Sequence, residues 1–213
     1  MKAATRPGPG WWLIVVLAAL TAAYGLATAL IGPPIYAPNL KASFMARPWG
    51  IYPHAFFGGL AVILGPFQFH RGLLRNRARH RKIGITYVTS CLIAGTAGLY
   101  MAVYSYGGIV TNLGFGGLAV ALLTATVLAF RAIKGRDVAT HREWMIRSYA
   151  LIFAAAMLRI EIPLLMIATK GDFDVTYRIV AWLCWVPNLI VAEWIVRRTR
   201  PTAAAGLPVF EGR

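Results

Sequence analysis

All four histidines of the chain, His54, His70, His80 and His141, stand at the edges of long apolar runs. Imidazole in such places can ligate haem iron or another metal, carry a proton, or meet a phosphate at a membrane edge. His80-Arg81, followed by Tyr87, resembles His141-Arg142, followed by Trp144, Met145, Arg147 and Tyr149. The two strings are candidates for a parallel internal repeat. Two of His70, His80 and His141 are candidate ligands of one b-type haem or of a metal. The competing expectation is that each His-Arg pair holds a lipid phosphate, its arginine snorkelling to the surface.

A second set of residues is costly where it stands. Arg159, Glu161 and Glu193 lie within apolar runs, and a charge at the centre of a spanning helix costs about 2.5–3.5 kcal/mol even on insertion scales. Each therefore needs a partner or a wet cavity. Arg159 and Glu161 are two residues apart, which on a helix points them to nearly opposite faces. Pro163 removes the donor that would bond the Arg159 carbonyl, so a kink is expected at that turn. Pro187, and Pro66 after Gly65, follow the same kink logic. His54, Arg147, Arg159, Glu161 and Asn188 form the candidate polar interior, open to a small ligand or an ion. The alternative is an interhelical clamp that joins Arg159 to Asn188 or Tyr100.

The elements that must position these residues are apolar and long. Of the 213 residues, 58% are hydrophobic and 14% charged, whereas about a quarter of a soluble domain is charged. Six runs are long enough to cross a bilayer as helices: Trp11–Ile31, His54–His70, Ile83–Tyr104, Gly114–Phe130, Arg147–Ala168 and Arg178–Val196. They lack the alternation of a membrane barrel. The expected class is an all-α, six-span helix bundle in one domain. Gly32-Pro33-Pro34, Gly107-Gly108 and Gly171-Asp172 should break the chain between spans. Gly95 and Gly98 should let helices approach closely. Cys91 and Cys184 lie in apolar runs and are expected to be small buried residues. The segment from Pro201 is expected to be a disordered tail.

The basic residues fall on alternate loops. Arg71, Arg75, Arg77, Arg79, Arg81 and Lys82 lie in one link, and Arg131, Lys134, Arg136, Arg142 and Arg147 in another. Lys2 and Arg6 precede the first run, and Arg197, Arg198, Arg200 and Arg213 follow the last. Only Lys41, Arg47, Lys170 and Arg178 fall on the other side. Basic loops stay in the cytoplasm, so both termini are expected there, in a bacterial inner membrane. The net charge of +15 then reads as a topology signal, with anionic lipid head groups as partners and no role for nucleic acid.

Six helices and four histidines resemble cytochrome b561-type electron carriers. Two stacked haems would need a histidine pair on each side, and here one histidine is outer and three are inner. At most one haem fits. A closer resemblance lies in three strings: Pro53 to Phe69 (PHAFFGGLAVILGPFQF), His80-Arg81 with Gly84 and Tyr87, and His141 to Leu151 (HREWMIRSYAL). In this order they resemble the bacterial predicted-membrane-protein family called domain of unknown function 2306. The resemblance implies an integral membrane protein and brings no reaction, cofactor or catalytic residue. No nucleophile–base pair, phosphate loop or closed zinc site is evident. The expected function is binding or transport of a small ligand or ion through the polar interior. The alternatives are a redox protein with one b-type haem at the cytoplasmic face, and a membrane scaffold.

Overall fold

The computed structural model describes residues 8–200. Among them every regular element is helical: α1 (Pro9–Leu30), α2 (Pro38–Met45), α3 (Pro48–Gln68), α4 (Arg71–Arg75), α5 (Arg77–Val103), α6 (Ile109–Lys134), α7 (Val138–Ile152), α8 (Ala154–Ala168), α9 (Phe173–Leu183) and α10 (Val186–Thr199). Six units are long and apolar enough to cross a membrane: α1, α3, α5, α6, and the broken pairs α7–α8 and α9–α10. The tail expected beyond Pro201, and Lys2, Arg6 and Arg213, lie outside the described residues.

The spans start earlier than apolar content alone suggests. Asn76, Asp137 and Asp172 cap α5, α7 and α9, each side chain accepting from the backbone amide three residues on, at 2.9–3.0 Å. Such caps satisfy amides left free at a helix start. The first turns of these helices are therefore polar. α3 starts at Pro48, a residue suited to a first helical position, and continues through Pro53 and Pro66. The chain between the first two spans holds α2, which lay unread between two prolines. Glycines take positive φ at Gly107, Gly108 and Gly171, the expected turns.

The two breaks have separate causes. In the sixth span Pro187 has no amide for the Leu183 carbonyl, and the helix restarts at Val186. In the fifth span the helix is interrupted at Phe153, while α8 continues through Pro163. Asn188 Nδ2 donates to the Ala150 carbonyl at 3.2 Å and to the Cys184 carbonyl at 3.0 Å. Ala150 is the acceptor that Ala154 would use in a continuous helix. A side chain inserted into the ladder is a known cause of kinks. Asn188 thus serves both breaks.

The break sends the fifth span across the bundle. α7 packs against α6, α10 and α3, whereas α8 packs against α9 and α1. The half holding α7 is tied together across its helices. There Tyr87, Ser148 and Thr126, all buried, join α5, α7 and α6 through bonds of 2.9 and 3.0 Å. Such hydrogen bonds hold helices where lipid offers no hydrophobic drive. The loops rich in arginine lie at that end of the bundle.

Candidate ligand cavity

In the opposite half the departure of α8 leaves a cavity of about 430 Å³. That lies within the range of roughly 300–1,000 Å³ usual for small-molecule sites. Its walls come from α1, α3, α5, α6, α8 and α9 and from Leu151 and Ile152 at the end of α7, and Leu40, Ser43 and Phe44 of α2 lie over its end. α2 is held there by Ser43, which donates to the Tyr104 carbonyl at 3.4 Å, and by Phe44, edge-on to Tyr36 at 5.4 Å.

Most of the lining is apolar, with two basic side chains and no carboxylate. Arg159 projects from α8. Its Nη1 donates to the Ala155 carbonyl at 2.5 Å, and its guanidinium lies 4.6 Å from the centre of the Tyr24 ring. Its Nε is buried without a hydrogen-bond partner, and no described carboxylate lies within ion-pair distance. Across the cavity His54 is fixed by a 3.0 Å bond from Nδ1 to the Ala94 carbonyl. Its ring occupies space that a side chain at Gly98 would take, since a Cβ there would lie 2.9 Å from Nδ1. The charge of Arg159 reaches His54. The lining holds a cation and no carboxylate to balance it.

The other residues expected at a site are dispersed. Glu161 is not part of the cavity lining, and its buried Oε2 has no partner. Arg147 pairs with Glu193 through Nε–Oε1 at 2.5 Å and Nη2–Oε2 at 3.0 Å, and lies 4.5 Å over Trp144. That pair sits in the arginine-rich half, where Arg200 also grips Glu143 at 2.7–2.8 Å. Asn188 pins the helix breaks. The proposed clamp is therefore not formed: Arg159 meets Tyr24 and Ala155 instead of Asn188 or Tyr100.

The three remaining histidines lie at the arginine-rich end. His70 rests against Trp11, ring centres 5.4 Å apart. His141 Nδ1 is bonded to the Ala129 carbonyl at 2.9 Å, and His80 lies close to it. Both of these are the fourth residue of a capped helix, after Asn76 and Asp137. Of the four histidines only His54 lines the cavity, so a haem there would find one imidazole. No group of three or more His, Cys, Asp or Glu among the described residues is placed to hold a metal. Cys91 and Cys184 are buried and free, as expected.

Sequence reasoning missed the contribution of α1. Thr21, Tyr24 and Thr28 line the cavity together with Gly25. They recur at helical spacing within an otherwise apolar span, and such a stripe marks an inward face. It could have been read.

Helix content and span lengths define a polytopic α-helical membrane protein. The chain belongs to the predicted membrane protein family DUF2306, whose model matches residues 51–196. His54 and Arg159 lie inside the matched stretch, and Tyr24 lies before it. No curated protein matches the chain. No solved structure matches it.

Proposed function

We propose that this is a binding protein of a bacterial inner membrane, with both termini cytoplasmic and one six-span domain, that holds a small molecule in the cavity beside Arg159. The observation that carries this reading is the unpaired guanidinium in a largely apolar wall. A charge at such depth is costly and ordinarily marks a functional site. His54, fixed by Ala94 across the same space, adds a second polar contact. Asn188 and Arg147 serve the frame, and Glu161 lies behind the wall. The arginine clusters at the other end face the cytoplasm, where they meet anionic lipid heads.

Native mass spectrometry of protein released from lipid nanodiscs tests the reading. The protein is expected to carry a small-molecule adduct that Gly58→Leu loses. A Cβ at Gly58 would meet only Ala94 Cβ, at 3.9 Å, so the leucine extends into the cavity rather than into a neighbour. An adduct that survives Gly58→Leu, or its absence from the unaltered protein, contradicts the reading.

A second reading places one b-type haem at the cytoplasmic face. It is supported by the nearness of His80 and His141 at the starts of α5 and α7. A purified protein without a Soret band after haem supplementation overturns it.

A further inference from the structure

The seams around the cavity are unlike one another, and the difference points to what enters. α1 and α3 are in backbone contact: a Cβ at Gly25 would lie 2.5 Å from the Ala55 carbonyl oxygen, and one at Gly59 3.2 Å from that of Ala22. α5 and α6 close where Leu123 lies 2.9 Å from the Cβ position of Gly95. α6 and α9 close where Ala181 lies 2.8 Å from that of Gly114. α8 and α9 are joined by a 2.8 Å bond between the Thr169 and Thr176 hydroxyls. Small residues at these places let the helices touch.

The seam between α1 and α8 differs. The two helices meet over a short stretch, and across it Arg159 lies on Tyr24. Tyr24 is 42% exposed and the lining residue Pro163 is exposed as well, as are His54 and Tyr106 elsewhere in the lining. With α2 over the end, this is the most thinly closed of these seams. It faces hydrocarbon.

We infer that the ligand is a membrane-dissolved amphiphile with an oxyanion head, specifically a single-chain carboxylate, that enters sideways between α1 and α8 and is gripped by Arg159. This rests on the cavity being a binding site. A guanidinium is planar and always charged, and its fork of donors matches a carboxylate. With Nη1 committed to Ala155 and Nε buried, Nη2 is the amine left to meet the head. The apolar lining takes the tail. A cavity of about 430 Å³ suits one chain rather than a two-chain phospholipid.

The test uses full-length protein in nanodiscs and doxyl-labelled stearate, followed by the immobilised component of its electron spin resonance spectrum. Unlabelled stearate is expected to displace the probe. Octadecanol, the same chain without the charge, should compete roughly ten- to a hundred-fold less well, the usual worth of a hydrogen bond to a charged group. Arg159→Gln should remove that preference. Hexanoate, a carboxylate that arrives from water, should not compete. Octadecanol equal to stearate overturns the carboxylate, and displacement by lysophosphatidate alone overturns it in favour of a phosphate head. Immobilised probe that persists unchanged in Gly58→Leu refutes the cavity itself, and with it the underlying reading. For the route, Tyr24→Cys and Pro163→Cys joined by a flexible bis-maleimide should slow probe exchange at least about tenfold, the native cysteines being buried. Unchanged exchange overturns sideways entry.

Discussion

Arg159 lies 4.6 Å from the centre of the Tyr24 ring, and through this contact the fifth span meets the first at the edge of the cavity. A cation over an aromatic face gains about 0.5–2 kcal/mol. That is less than the roughly 2.5–3.5 kcal/mol charged for placing arginine deep in a bilayer. The contact therefore offsets only part of the cost of Arg159. What remains is a guanidinium in the cavity wall with a buried Nε that has no partner.

The glycines that close the other seams predict an asymmetric response to small substitutions. Gly25→Ala drives a methyl into the Ala55 carbonyl and should destabilise by about 1–3 kcal/mol, the usual range for overpacking. Gly58→Ala meets only Ala94 at 3.9 Å and should be close to neutral. Thermal unfolding in detergent compares the two. Equal losses would contradict the packing described.

Asn188 should matter to stability more than its depth suggests. Asn188→Leu leaves the Ala150 and Cys184 carbonyls without their side-chain donor at both helix breaks. The expected cost is about 1–2 kcal/mol, at the upper end for membrane hydrogen bonds. Hydrogen exchange should rise around Phe153 and Trp185 and stay unchanged in α3.

The two ion pairs of the arginine-rich half should differ in salt response. Arg147 is 11% exposed and held by both Glu193 oxygens. A double-mutant cycle on Arg147→Met and Glu193→Gln should give a coupling of about 1–2 kcal/mol that salt barely alters. The Glu143–Arg200 pair is solvent-facing, Arg200 being 58% exposed. Its coupling should be small and should fade with added salt.

The start of α7 should loosen in acid. The Thr140 side chain and backbone amide, bonded to Asp137, hold its carboxyl below the ordinary carboxylate value. A depressed value means that the cap's contribution is present above the unfolded carboxylate range, near pH 3.9, and is lost as pH falls through the folded value. Exchange at the Thr140 amide should therefore rise on acidification. Asp137→Asn should remove the pH dependence and keep the cap, whereas Asp137→Ala should lose both.

The six spans were legible because lipid imposes a single demand, a long apolar run, and that demand is written in composition. Their beginnings were not. Asn76, Asp137 and Asp172 satisfy helix starts from outside the apolar runs, so hydropathy passes over them. The break at Phe153 was hidden for a different reason: it depends on Asn188, a residue of another span. Pro163 carried the local signal for a kink, yet helix α8 accommodates it. At the site, Arg159 announced itself through its cost. His54 was expected in the same polar interior, but its place in the cavity lining with Arg159, and Asn188 as a pin instead of a clamp, are tertiary facts with no local trace.

The most direct test of the account measures stability and ligand retention together in Arg159→Gln. The account predicts that the variant unfolds at the same temperature as the parent or higher, since an unpaired buried cation has been removed, while the bound small molecule is lost. A variant that unfolds well below the parent and still retains the molecule would show that Arg159 holds the helices together, and would contradict the assignment of the cavity.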